Sequence, residues 1–276
     1  MSDTASNVVD LGRLRAAGPP KLAVRDLVKT RTNSMGATVT AVDHVSFEVA
    51  VGEFVCLLGP SGCGKTSILN MLAGLETPTS GSASMDGHVI EGPGPDRTVM
   101  FQEPALFPWL TVAGNVELAL KLKGIPAADR RERAMGWITN VGLASVAAAR
   151  PHELSAGMRQ RVALARALAS EPDVLLGDEP FGALDAQARE LLQDELQRVW
   201  VEHGGRKTFL FVTHNVREAA LLADRVLVMT AAPGRLLEEV RINAPRPRQL
   251  DDVLVARVVS EVHELLMSEV GKGTAG

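Results

Sequence analysis

Two cysteines are all the chain contains, and Cys56 and Cys63 stand too close together to build a disulfide framework. That scarcity excludes a small disulfide-stapled fold and points to a reducing compartment. No run approaches the ~18 consecutive apolar residues of a membrane span. The first twenty residues hold Asp10, Arg13 and Arg15 where a signal peptide needs an apolar stretch. There is no basic stripe either. Lysines and arginines are scattered, and a net charge of −4 leaves no electrostatic footprint for nucleic acid or an anionic lipid surface. The cluster Arg130-Arg131-Glu132-Arg133 is interleaved with acid and reads as a solvated helix face. Internal repeats and low-complexity tracts are also missing. These absences leave a soluble cytoplasmic protein, free to dock on a membrane partner.

What is there suits a packed globular chain: 46% of the 276 residues are hydrophobic, enough for a sizeable core. Residues 1–20 are polar and end in Gly18-Pro19-Pro20, which predicts a loose arm before a fold that begins near Lys21. From Leu22 to Asp86, short Val-, Leu- and Phe-rich strands alternate with turns, as in a small antiparallel sheet around a central strand. Met85-Asp86-Gly87 is a hairpin-type turn signal. After a strand at Thr98–Gln102 the pattern is helical from Val112 through Ala169. Strands then return at Val174–Leu176, Thr208–Thr213 and Val226–Met229, separated by helices at Ala186–His203 and Val216–Ala223. Such alternation implies a mostly parallel sheet, in which ligands sit beyond the carboxyl ends of strands. Beyond Pro245-Arg246-Pro247-Arg248, a terminal helix is expected to pack through Leu250, Leu254, Val258, Val262 and Leu265.

The chemistry gathers at strand ends. The apolar run Phe54–Leu58 leads into Gly59-Pro60-Ser61-Gly62-Cys63-Gly64-Lys65-Thr66, which matches the phosphate-loop pattern G-x-x-x-x-G-K-[ST] at every position. A strand, a glycine turn and a helix start aim backbone N–H groups at one anion. Lys65 adds a point charge for the β and γ phosphates, and the Thr66 hydroxyl is placed to ligate Mg²⁺. Val174–Leu176 runs through Gly177 to the paired carboxylates Asp178 and Glu179. Beside a phosphate loop, Asp178 is expected to hold the metal directly or through water, and Glu179 to orient or deprotonate the attacking water. The strand Phe209–Thr213 ends at His214, whose imidazole can serve the γ-phosphate or the water. Ser155 reads as the N-cap of a helix running through Ala169, with Ala156, Gly157 and Met158 in its first turn.

The order of these pieces, with Gln102 after its strand, Leu154-Ser155-Ala156-Gly157-Met158, Ala183-Leu184-Asp185 and Thr213-His214, resembles the ABC transporter ATPases over roughly residues 21–245. The resemblance implies an α/β P-loop NTPase fold: a RecA-like core, an antiparallel β subdomain and an inserted helical subdomain at about 104–166, with a helical tail at 246–276. It implies ATP and Mg²⁺ as cofactors and a head-to-tail dimer with two ATPs between subunits. Gly59 to Ser67 and Gln102 would then bind nucleotide. Thr66, Gln102 and Asp178 would serve the metal, and Lys65, Glu179 and His214 the hydrolysis. Ser155, Ala156, Gly157 and Met158 would meet the ATP held by the other subunit, and Asp185 would lie at the dimer interface.

A narrower likeness rests on Gly92–Arg97, Phe101–Val112 and Pro233-Gly234-Arg235, which look like the nitrate, sulfonate and taurine importer ATPases. In those systems the ATPase, at the cytoplasmic face of the membrane, pairs with a permease and an external substrate-binding protein. The stretch Phe107-Pro108-Trp109 would help form the groove for the permease's coupling helix. Three departures from the family pattern stand out. The chain has no tyrosine, and Thr32 and its neighbours occupy the stretch where an aromatic ring usually stacks on adenine. Ala156 and Met158 replace a glycine and a glutamine of the usual signature. Asn215 stands where aspartate is common. A non-transport ABC ATPase and a low-turnover ATP-gated module are the competing functions; the scattered charge argues against the first and the intact Lys65, Asp178, Glu179 and His214 against the second.

Overall fold

The computed structural model describes residues 18–32, 36–202 and 206–273, so most of the expected N-terminal arm and the expected helix end at His203 lie outside the described residues. Strands β1 (Leu22–Thr32), β2 (Thr38–Val49), β4 (Ser80–Met85) and β5 (His88–Val89) form an antiparallel sheet in the order β2-β1-β4-β5. Asp86 and Gly87 both have positive φ and join Met85 to its partner His88 as a two-residue hairpin loop. The turn signal in the sequence is therefore met.

A second sheet holds β3 (Phe54–Leu58), β6 (Arg97–Met100), β7 (Val174–Asp178), β8 (Thr208–Thr213), β9 (Arg225–Met229) and β10 (Leu236–Arg241), in the order β10-β9-β3-β8-β7-β6. All its pairs are parallel except the edge pair of β10 with β9. The side-chain alternation of each strand splits the core into two faces. Phe54, Cys56 and Leu58 point to one side with Phe209 and Phe211; Val55 and Leu57 point to the other with Leu210 and Val212. Near-continuous apolar strands are the mark of a parallel sheet covered on both sides.

Helix α1 (Lys65–Ala73) and the antiparallel sheet cover one face. The other face receives α2 (Val112–Leu122), α3 (Ala127–Asn140), α4 (Ala156–Ala169), α5 (Ala186–Glu202), α6 (Val216–Leu222) and α7 (Val253–Gly273). Side chains cap the starts: Thr111 accepts from the Gly114 N–H, Ser155 from Met158, and Asn215 from both Arg217 and Glu218. Helix α7 packs through part of the expected face: Val258 and Val262 are buried and Leu265 is partly buried against the core. Val255, Val258 and Val262 are its buried contacts, whereas Leu254 and the preceding Leu250 are largely exposed. The helix meets α6 along an i, i+3, i+7 stripe, which rotates Leu254 to the rim.

Register places the chemistry. Leu58 pairs with Thr213 and Asp178 with Val212, so β3, β8 and β7 end at one level. The phosphate loop, the carboxylate pair and His214 thus emerge from adjacent strands at the same edge, the place where parallel sheets bind ligands.

Candidate nucleotide site

The loop from Gly59 to Thr66 is built by close packing. Gly64 has φ 87°, and a Cβ there would sit 2.6 Å from Val42 Cγ2 and 2.7 Å from the Ala41 carbonyl oxygen. Only glycine lets the chain turn at that point into α1. Behind the loop, a Cβ on Gly234 would lie 1.9 Å from the Cys63 carbonyl oxygen. Gly234 also donates to the Ala41 carbonyl and accepts from the Asp43 N–H, so the turn before β10 braces the phosphate loop.

The Lys65 ammonium is buried and donates to the carbonyls of Gly59 and Pro60, each at 2.8 Å. It lies 3.7 Å from the Cys63 sulfur, yet burial still pushes that thiol up from its ordinary pKa. Cys63 is therefore a packed thiol under the loop. Thr66 donates its hydroxyl proton to Asp178 at 3.0 Å. Burial is the main cause that raises the Asp178 pKa, and the neighbouring Glu179 adds to it, while Thr66 and Lys65 oppose. Glu179, with φ 45°, donates its N–H to the Val212 carbonyl, and its carboxylate meets His214 Nδ1 at 3.1 Å.

Other expected site residues stand apart from this cluster. Gln102 is exposed two residues beyond β6, and Ser67 accepts from Arg31 at 2.9 Å. Ser155 and Ala156 are exposed at the start of α4, with the Ser155 hydroxyl capping its own helix. Ala156 is the first helical residue, a conformation that needs no glycine. Gly157 faces Leu184, and Gln160, fully buried, donates to the Pro180 carbonyl at 2.8 Å. The start of α4 is thereby tied to the loop after Glu179. Asp185 is exposed and caps α5 by accepting from the Ala188 N–H.

Sequence reasoning passed over Arg31 and Glu218, and gave Gly234 no part in supporting the phosphate loop. Arg31 adjoins Thr32, which is exposed, and its guanidinium bridges Ser67 and Glu76. Glu218 is almost fully buried behind His214, and burial pushes its carboxyl up to about 7. Its position in the polar run Asn215–Glu218 gave no signal of burial.

A central strand that opens into a glycine-bound loop, with a lysine on the loop and a carboxylate pair two strands away, defines a P-loop NTPase. The model of the ABC transporter family matches residues 42–182. The chain is 45% identical over 224 residues to a nitrate import ATP-binding protein of Synechocystis sp., covering 81% of this chain and 83% of the relative. It is 51% identical over 203 residues to a taurine import ATP-binding protein of Mesorhizobium japonicum, covering 73% and 78%. A dimeric ATP-binding cassette solved in a post-hydrolysis state with ADP and Pi superposes with a TM-score of 0.73 at 30% identity, over 81% of this chain and 99% of that one. The chain belongs to the ABC transporter ATP-binding family, which hydrolyses ATP.

Proposed function

We propose that this chain is the ATP-hydrolysing subunit of an importer for a small anion such as nitrate, a sulfonate or taurine, working as a head-to-tail dimer beneath a membrane permease. The observation that carries this reading is the convergence of the phosphate loop, the Thr66–Asp178 bond and the Glu179–His214 contact at one sheet edge. Backbone N–H groups from Gly59 to Ser67 and the Lys65 ammonium bind the phosphates of ATP.

The residues present fit a magnesium ion, because a hydroxyl and a carboxylate 3.0 Å apart are hard oxygen donors of the kind it takes. Thr66 and Asp178 would hold it, with Gln102 as a third group. Bound there, it would neutralise the negative charge of the β- and γ-phosphates. Glu179 holds and orients the attacking water, and His214, positioned by Glu179, donates toward the γ-phosphate. Little covalent help is needed, since phosphoryl transfer rests on positioning and charge stabilisation.

Ser155, Ala156, Gly157 and Met158 serve the ATP of the second subunit, and Asp185 lies at the dimer interface. The exposure of Ser155 and Ala156, and the dimeric state of the superposed cassette, support this. Trp109, 66% exposed and 5.4 Å from the Phe107 ring, offers apolar surface for the permease's coupling helix. An external binding protein delivers the anion. The chain would sit as a peripheral subunit on the cytoplasmic face; among the described residues no helix is long and apolar enough to cross a membrane. The importer relatives support the substrate class.

Glu179→Gln tests the assignment. The variant should bind ATP and form an ATP-dependent dimer while turnover falls by at least about 100-fold, the scale of a lost general base. Unchanged hydrolysis would sink the role given to Glu179. Affinity purification of the chain from gently solubilised native membranes should bring down a multi-span permease; recovery of ribosomal partners instead would overturn the transport reading.

A further inference from the structure

The hydrolytic groups stand at one side of the phosphate loop, and Arg31 stands at the other. Thr66 and Ser67 are consecutive on α1, so their side chains diverge by about 100° around the helix. Thr66 reaches Asp178 at 3.0 Å, whereas Ser67 accepts from Arg31 Nη2 at 2.9 Å. Strand β1 carries the arginine there: Lys29 pairs with Val42, the residue against which Gly64 turns, and Arg31 lies two residues further along, paired with Val39. The same Nη2 donates to both oxygens of Glu76, at 3.0 and 3.2 Å. Glu76 is itself fixed to α1, its Oε1 accepting from Asn70 at 2.9 Å, and the Lys29 ammonium lies 3.5 Å from its Oε2. One edge of the guanidinium is thereby pinned to the helix that follows the phosphate loop. The side chain is nevertheless 54% exposed, and its Nε and Nη1 make no hydrogen bond among the described residues. Strand β1 holds no aromatic residue.

We infer that Arg31 binds the nucleoside: its guanidinium plane stacks on the base of the ATP whose phosphates occupy the loop. The inference rests on the reading of Gly59 to Ser67 as an ATP site. With the γ-phosphate at Glu179 and His214, the nucleoside leaves the loop on the side away from them, where Ser67 and Arg31 stand. A guanidinium is planar and weakly hydrated and stacks on π faces, and one already held at an edge loses less freedom in doing so. The ammonium of Lys29 offers no such plane. A stack of this kind does not read the edge of the base. The guanidinium can only donate, and each Glu76 oxygen already meets two donors from Asn70, Lys29 and Arg31, so Glu76 has no lone pair left for an exocyclic amino group. The site therefore takes purine nucleoside triphosphates with little discrimination between adenine and guanine.

The test is equilibrium binding by the full chain and its Arg31→Ala, Arg31→Lys and Arg31→Phe variants, with ATP, GTP and inorganic tripolyphosphate as probes in the presence of Mg²⁺. Arg31→Ala should weaken ATP and GTP alike by about tenfold, the scale of one lost base stack, and change tripolyphosphate affinity by no more than about twofold. Arg31→Phe supplies a plane without a charge and should restore most of the ATP binding. Arg31→Lys keeps the charge without the plane and should stay close to Arg31→Ala. In the wild type the dissociation constants for ATP and GTP should agree within about tenfold, because stacking tolerates either base. An equal loss of tripolyphosphate and ATP binding in Arg31→Ala would mean that Arg31 shapes the loop through Ser67, and full recovery by Arg31→Lys would mean a charge acting on phosphate; either overturns the inference. So does a preference for ATP over GTP beyond about 100-fold, which calls for hydrogen-bond readout of the base. A wild type that binds none of the three probes would refute the ATP site itself, whereas unchanged ATP affinity in Arg31→Ala would refute the role of Arg31 alone.

Discussion

Thr66 Oγ1 donates to Asp178 Oδ1 across 112 residues of chain, joining the first turn of α1 to the end of β7 at 3.0 Å. The bond sets the spacing of two oxygen donors on neighbouring elements, which is the spacing a small hard cation demands. It also eases the burial of a carboxyl whose pKa is already raised.

Thr66→Val keeps the shape of the side chain and removes the hydroxyl. Asp178 then loses its hydrogen-bond donor while staying buried, and the donor proposed for the metal disappears with it. The expected result is at least about tenfold more Mg²⁺ for half-maximal hydrolysis, in line with one lost hydrogen bond to a charged group. Thr66→Ser should restore most of it. A magnesium titration that does not distinguish Thr66→Val from wild type would show that the hydroxyl has no part in metal binding.

Gly234 tests how the phosphate loop is supported. A methyl at this position meets a backbone carbonyl 1.9 Å away, and a backbone cannot rotate aside as a long side chain can. Gly234→Ala should displace the Cys63 peptide and weaken nucleotide binding about tenfold, with a loss of stability of about 1–3 kcal/mol typical of overpacking. Gly136→Ala is the control, because a Cβ there meets nothing within 4 Å inside α3 and should be neutral or slightly stabilising. Equal ATP affinity, by fluorescence titration, in both variants would mean that the loop keeps its shape without this brace.

These two sites differ in how far the sequence revealed them. The phosphate loop is an ordered string of residue types after an apolar run, so Lys65 and Thr66 could be read directly, and the strands at Phe54, Val174 and Thr208 announced themselves by continuous apolar residues. Strand β10 did not, because Leu236–Arg241 is an edge strand with Glu238 and Glu239 exposed, and its charge masks the pattern. Gly177 interrupts the apolar run of the strand just before Asp178. In the fold it stands opposite Phe211, and a Cβ would come within 2.7 Å of that ring, so the glycine answers a cross-strand contact invisible in one dimension. Glu218 escaped for the same reason. A Glu in a polar helix start reads as solvated, and only the packing of α6 against the sheet and α7 buries it.

That burial makes stability depend on pH. The Glu218 pKa is raised from 4.5 to about 7 in the fold, chiefly by burial. Between those values the folded protein holds a proton that the unfolded chain has released, so stability falls as pH rises through this window and the full penalty is present above it. The shift corresponds to about 3 kcal/mol. Glu218→Gln is never charged and escapes the penalty. Denaturant unfolding should find wild type and variant close at pH 5, and the variant more stable by about 1–3 kcal/mol at pH 8. Stability differences that stay constant from pH 5 to 8 would mean that Glu218 does not hold its proton in the folded state, and that the burial seen around it does not govern its charge.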